Sequence, residues 1–183
     1  MTNGIGMILV QVSAKYWVGM FEVTQAEYEK IMGANPSRSK AGNDPRLPVE
    51  SVSWNDAIKF CQELSAKERA AGALPVGALY TLPTQEQWNE FLADAKFEDA
   101  VTSDKGQRTA PAPVGSTGIP NKFGLFDVFG NVWEWCLDET DTHERFQVGG
   151  AYNSLKGYAL KRHSPPDKHS FNWGFRCILV SQP

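Results

Sequence analysis

The side chains that could carry out chemistry in this chain are few, and their spacing limits what they can do. Its three cysteines, Cys61, Cys136 and Cys177, are too few and too scattered for a disulfide framework or a zinc site. Each lies close to an aromatic residue (Phe60, Trp135, Phe175), which suits a small buried hydrophobe better than a reactive thiolate. One disulfide stays open, because sequence alone does not pair them. The histidines, His143, His163 and His169, are at no helical ligand spacing and fall in a loop-rich region, where solvent-facing polar roles are usual. Glu134 and Asp138 could form a carboxylate pair. Arg176, flanked by apolar residues, requires a buried acceptor or carboxylate and reads as structural. There is no Gly-x-Ser-x-Gly elbow, phosphate loop or dinucleotide fingerprint.

The elements that must position these groups change character along the chain. Three helices have explicit start signals. Thr24-Gln25-Ala26-Glu27 is a capping box, with Val23 and Tyr28 as its hydrophobic staple and Gly33 as its stop. Ser53-Trp54-Asn55-Asp56 opens a second helix with Ala57, Ile58, Cys61 and Leu64 at helical spacing, ending at Gly72. Thr84-Gln85-Glu86-Gln87 opens a third, with Trp88, Phe91, Leu92 and Ala95 as its apolar stripe. Ile8–Val12 and Tyr16–Phe21 read as strands before the helices; Asn131–Leu137 and Gly174–Val180 read as strands after them. The turn-rich passage from about 99 to 121 reads as surface loop. Helices first and a loop-rich sheet second predict an α+β fold. With 183 residues and no repeat or linker, residues 1–183 form one expected domain.

Composition narrows the function. At 42% hydrophobic and 21% charged the chain has globular composition. A net charge of -3 without a basic run gives no case for nucleic acid. No apolar stretch approaches the ~20 residues that span a bilayer. The first residues do not read as a signal peptide, which leaves the compartment open between cytoplasm and export by another route.

A series of motifs in fixed order resembles the formylglycine-generating enzyme (sulfatase-modifying factor) family. The series starts with Phe21-Glu22-Val23-Thr24-Gln25, Leu47-Pro48-Val49-Glu50-Ser51-Val52-Ser53-Trp54 and Tyr80-Thr81-Leu82-Pro83-Thr84-Gln85-Glu86-Gln87-Trp88. It continues with Pro120 to Asp127, Gly130-Asn131-Val132-Trp133-Glu134-Trp135, Gly149-Gly150-Ala151-Tyr152 and Gly174-Phe175-Arg176-Cys177. Singly these are weak; in this order over nearly the whole chain they are specific. The resemblance implies an elaborated C-type-lectin-like fold. It also implies a structural calcium on the Asp127 and Glu134 side chains and the carbonyls of Gly130 and Val132, a reasonable donor set for a hard cation. The alternative is that Asp127 caps a turn and Glu134 pairs with an arginine. The family's other calcium loop has no counterpart in the shortened region around residues 95–110.

The family's oxidase uses two copper-binding cysteines just after its Gly-Gly-Ser-Tyr-like motif. The matching positions here are Ser154 and Ala159, and neither a hydroxyl nor a methyl group can do thiolate chemistry. No copper and no such catalysis are therefore expected. The iron-dependent sulfoxide synthases of similar fold need a histidine cluster that this chain lacks.

The same fold also resembles variable proteins of diversity-generating retroelements, which display exchangeable side chains between a Gly-Gly-Ser-Trp-like and a Gly-Phe-Arg-like motif. The corresponding stretch runs from Tyr152 to Trp173. Its candidate ligand-binding residues are Tyr152, Asn153, Ser154, Leu155, Gly157, Tyr158, His163, Ser164, His169, Ser170, Phe171 and Asn172. Aromatic rings give rigid contact area, while Ser, Asn and His adapt their hydrogen bonds. The resemblance implies a non-catalytic domain that binds a protein or other macromolecule. Three alternatives remain: aromatics that merely close the core above a polar loop, an enzyme of altered chemistry, and a structural or regulatory family member.

Overall fold

In a computed structural model that describes residues 1–39, 44–156 and 160–181, the chain adopts the expected α+β fold with three helices and two four-stranded sheets. Strands β1 (Leu9–Ser13) and β2 (Tyr16–Gly19) precede helices α1 (Gln25–Met32) and α2 (Trp54–Ala70). Strand β3 (Ala78–Thr81) and helix α3 (Gln85–Leu92) follow. The C-terminal half supplies β4 (Trp133–Glu139), β5 (Arg145–Val148), β6 (Lys161–Ser164), β7 (Trp173–Gly174) and β8 (Ile178–Ser181).

Each helix starts where its side chains can satisfy free backbone N–H groups. The Thr24 hydroxyl accepts from the Glu27 amide while the Glu27 carboxylate accepts from the Thr24 amide, and Gly33 closes α1 in the left-handed region. Ser53 with Asp56 and Thr84 with Gln87 repeat the device on α2 and α3. At α3 a further acceptor comes from a distant strand: Asp138 takes the Gln85 amide at 2.6 Å. Asp138 is thereby spent as a helix cap and not as half of a carboxylate pair.

One sheet runs β1-β2-β8-β3, antiparallel throughout. The other runs β6-β5-β4-β7, with β4 and β7 parallel. The expected C-terminal strand is thus two strands in two sheets. Trp173–Gly174 pairs with β4. Phe175, Arg176 and Cys177 then cross between the sheets, wholly buried, before Ile178–Ser181 enters the first sheet. The crossing backbone is held by the amides of Val23 and Gly19, which donate to Phe175 and Cys177 carbonyls.

Two apolar clusters flank this crossing. In one, Phe60 of α2 stacks on Tyr28 and meets Phe175 edge-on at 5.3 Å, with Trp135 and Leu64 alongside. In the other, Trp88 and Phe91 of α3 pack with Leu125, Val128 and Val148. Each such side chain contributes roughly 1.5–3 kcal/mol on burial.

The passage from 99 to 121, expected as surface loop, is exposed at 106–109 and 118–120 but is anchored to the core at a few points. Val101 bridges to Gly130, and Ala100, Val101, Thr102 and Val114 are buried. The Ala112 and Gly115 amides donate to the side chains of Asn131 and Asp127. Among the described residues no helix is long and apolar enough to cross a membrane.

Candidate functional site

Arg176 enters the core between the two sheets with none of its surface exposed, and its environment accounts for all five of its N–H groups. Nε and Nη2 donate to Glu134 at 3.0 and 2.8 Å; Nη1 donates to the carbonyls of Gly19 and Met20, and Nη2 also to that of Phe126. Glu22 lies beside this pair, accepting from Asn131 Nδ2 at 2.6 Å and the Val132 amide at 2.9 Å. Asp127 Oδ2 accepts from the Gly115 amide at 2.6 Å, while its buried Oδ1 has no partner among the described residues. Burial pushes the carboxyls of Glu22, Asp127 and Glu134 above their ordinary range, Glu22 most strongly, and Arg176 opposes the shift in all three.

This arrangement does not fit the calcium set expected at Asp127, Gly130, Val132 and Glu134. The Glu134 carboxylate is spent on a fixed positive charge, and a divalent ion beside it would face a guanidinium. Of the two carboxylates, only Asp127 keeps an oxygen without a partner among the described residues. Among the described residues no group of three or more His, Cys, Asp or Glu could hold a metal ion. Glu134 follows the alternative, an arginine pair. Gly130 has a steric role: its φ is +82°, and a Cβ there would lie 2.4 Å from the Val101 carbonyl oxygen.

The segment after Gly149–Gly150 forms the second candidate region. Gly149 (φ +89°) passes so close to Val128 that a Cβ would sit 2.9 Å from its carbonyl oxygen, which directs the chain into a turn at 151–154. There Ser154 Oγ accepts from the Ala151 amide at 2.9 Å. Tyr152 is buried, with its amide bound to the Asn131 carbonyl. Asn153 is exposed and accepts from Asn172 Nδ2 at 3.0 Å, which ties the two ends of the segment together.

The predicted binding residues therefore separate by exposure. Asn153, Leu155, His163, His169 and Phe171 are exposed, and Ser154 and Ser170 are half-buried. Tyr152, Ser164 and Asn172 are buried, which corrects their assignment as displayed side chains: they form the floor on which the others stand. Gly157 and Tyr158, with the Ala159 position, lie outside the described residues. His163 pairs with Glu144 and stands edge-on to Phe146 at 6.0 Å; His143 pairs with Glu139.

Several residues that sequence reasoning did not assign to the surface belong to it. A cavity of about 520 Å³ is lined by Trp133, Asn153, Ser154, Leu155, Lys161, Arg162 and Asn172. Register explains their convergence: Arg162 pairs with Gln147 and Gln147 with Trp135, so Arg162 shares a sheet face with the tryptophans. Its guanidinium lies 4.6 Å from the Trp173 ring centre and 5.4 Å from that of Trp133. Lys161, on the opposite face, stands over Phe146 at 4.4 Å. The signal available in sequence was the adjacent basic pair Lys161–Arg162, whose strand placement the polar composition concealed.

Two sheets, three capped helices and a surface carried on a buried aromatic floor define an α+β scaffold of the C-type-lectin-like kind. Residues 6–180 match the model of the sulfatase-modifying factor enzyme 1-like domain, and the chain belongs to that family. It is 30% identical to the formylglycine-generating enzyme of Streptomyces coelicolor over 199 residues, 90% of this chain and 60% of that protein. It is 31% identical to the inactive C-alpha-formylglycine-generating enzyme 2 of Bos taurus, over 81% of this chain and 56% of the relative. The chain spans about half the length of the curated relatives it matches. Among solved structures, Treponema denticola variable protein 1 shares the fold with a TM-score of 0.76 and 22% identity, covering 100% of this chain and 94% of its own. The family thus includes proteins named as enzymes and a protein named as inactive.

Proposed function

We propose that this chain is a non-catalytic binding member of its family, presenting the surface carried by residues 152–173 to a protein or other macromolecular ligand. Ser154 carries this reading. The family resemblance implies that it stands at about the position of a catalytic cysteine, and its hydroxyl is engaged in holding the turn through the Ala151 amide. A hydroxyl supplies neither soft-metal ligation nor thiol redox chemistry. The second position that the resemblance implies is an alanine, Ala159. The three cysteines are elsewhere and buried, and burial pushes the Cys136 and Cys177 thiols well upward, away from reactive thiolates. The shared fold of the variable protein from Treponema denticola supports display, since the same scaffold there carries a protein named for variability.

An assay of copper binding and of oxidation of a cysteine-containing sulfatase peptide tests the reading. Neither should be detectable, and formation of formylglycine would overturn it in favour of an enzyme of altered chemistry, the reading that identity to the Streptomyces coelicolor enzyme supports. Diversification has its own test in the genomic neighbourhood. A reverse transcriptase and a near-copy repeat of the 152–173 coding stretch are expected there, and the absence of both would remove that part.

A further inference from the structure

We propose that the cavity between β6 and the 153–155 turn receives an acidic side chain, Asp or Glu, of a protein partner, with Arg162 as its counter-ion. The inference rests on reading this surface as a binding face and names what that face selects. Arg162 is half-buried against Trp133 and Trp173, yet no carboxylate or carbonyl partner meets its guanidinium among the described residues. Burial lowers its pKa, so its charged form is under-solvated where it stands. A cation so placed gains from an anion more than a free surface arginine does. The neighbouring basic groups are already engaged: Lys156 with Glu98, Lys168 with Asp167, and His163 with Glu144. Lys161 borders the cavity but carries its ammonium to the opposite sheet face, over Phe146, so Arg162 is the cation that faces the cavity.

The rest of the cavity suits a short apolar stem ending in a carboxylate. Leu155 (45% exposed) and Trp133 offer apolar contact, while Asn153 and Ser154 offer hydrogen bonds at the rim. Unspent polar groups also gather below. The Trp173 indole N–H and both ends of the Gln147 carboxamide, cross-strand from Arg162, are buried without a hydrogen-bond partner among the described residues. A single unpaired guanidinium with no helix N-terminus beside it matches one carboxylate better than a doubly charged phosphate.

The test is to pan a random displayed-peptide library on the full chain, then resynthesise the selected peptides with each acidic residue changed to its amide. We expect binders that carry an Asp or Glu whose amide replacement weakens affinity at least about tenfold, as for a charged hydrogen bond. Arg162→Gln should abolish that difference, and Arg162→Lys should keep part of it. Leu155→Glu, at an exposed position that leaves the fold intact, should weaken binding by placing a competing carboxylate in the cavity. Binders lost with Phe171→Ala or His163→Ala but indifferent to Glu→Gln in the peptide would overturn the carboxylate proposal and leave the binding face standing. Dependence on a free peptide C-terminus alone, or preferential competition by inorganic phosphate, would also overturn it. A library yielding no peptide sensitive to any change on this face counts against both readings.

Discussion

Arg176 is wholly buried and Arg162 half-buried, yet the first is closed and the second open. Arg176 has every N–H paired, to Glu134 and three backbone carbonyls, and fastens the crossing between the two sheets. Arg162 rests on two tryptophan faces with no acidic partner among the described residues. A buried charge that is fully paired is a structural commitment, because removing one partner strands the other. A half-buried charge left unpaired holds binding free energy for something outside the chain. The same side-chain type thus marks the frame in one region and the reading surface in the other.

The sharpest way to break this contrast is to remove each arginine. Arg176→Met leaves the Glu134 carboxylate buried and unpaired, and should cost about 3–5 kcal/mol. Urea unfolding should show a large loss of stability or no folded protein. Arg162→Ala gives up two cation–π contacts and should cost only about 1 kcal/mol. Equal losses in the two variants would mean that Arg162 is also part of the frame.

The second prediction uses pH within the closed region. Glu22, Asp127 and Glu134 have folded pKa values raised above their ordinary ones by burial. Above the ordinary carboxylate range the folded state holds protons that the unfolded chain has released. Stability from these groups is therefore greatest in acid and falls as pH rises from the ordinary values toward the raised ones. Exposed Glu98 and Glu139, paired with Lys156 and His143, are shifted downward and act oppositely, losing their contribution as pH falls. Glu22→Gln should lower stability overall, since a carboxamide has one acceptor for two N–H donors. It should also flatten the decline above about pH 4.5, the ordinary glutamate value. An unchanged slope in denaturant titrations across pH would show that Glu22 is ionised throughout in the folded protein.

What was legible in the sequence follows the range of the interactions. The helix starts were readable because a capping box is complete within four residues, and all three form as expected. The strands Arg145–Val148 and Lys161–Ser164 were not, because their long charged side chains lie over aromatic rings contributed by other elements, Trp54 of α2, Phe146 of β5 and Trp173 of β7. The split of the C-terminal strand was hidden for a similar reason: Phe175-Arg176-Cys177 reads as strand, but the amides that hold its backbone, those of Val23 and Gly19, lie more than a hundred residues away. In the candidate site, the bounds of the segment, 152–173, were legible from the motifs, but which of its side chains stand exposed, as Asn153, Leu155 and Phe171 do, was not. The burial of Tyr152, Ser164 and Asn172 was not, since polar type and loop position gave no hint of a floor beneath them.

The smallest predicted effects lie on the display surface itself and sharpen the contrast from the other side. Phe171 is 44% exposed although it is large and apolar, and the His163 ring, exposed, meets Glu144 and the edge of Phe146. Neither fills the core, so Phe171→Ala and His163→Ala should each change stability by no more than about 0.5 kcal/mol. Asn172→Ala should cost more, because Asn172 is buried and donates to Asn153 across the turn. Melting measurements on the three variants rank them directly. If Phe171→Ala proves as costly as Asn172→Ala, the ring belongs to the fold and the surface loses its largest contact residue. If instead the exposed pair is silent in stability while ligand binding falls, the side chains that can be exchanged freely are those that stand on the floor, and the floor residues are those that cannot.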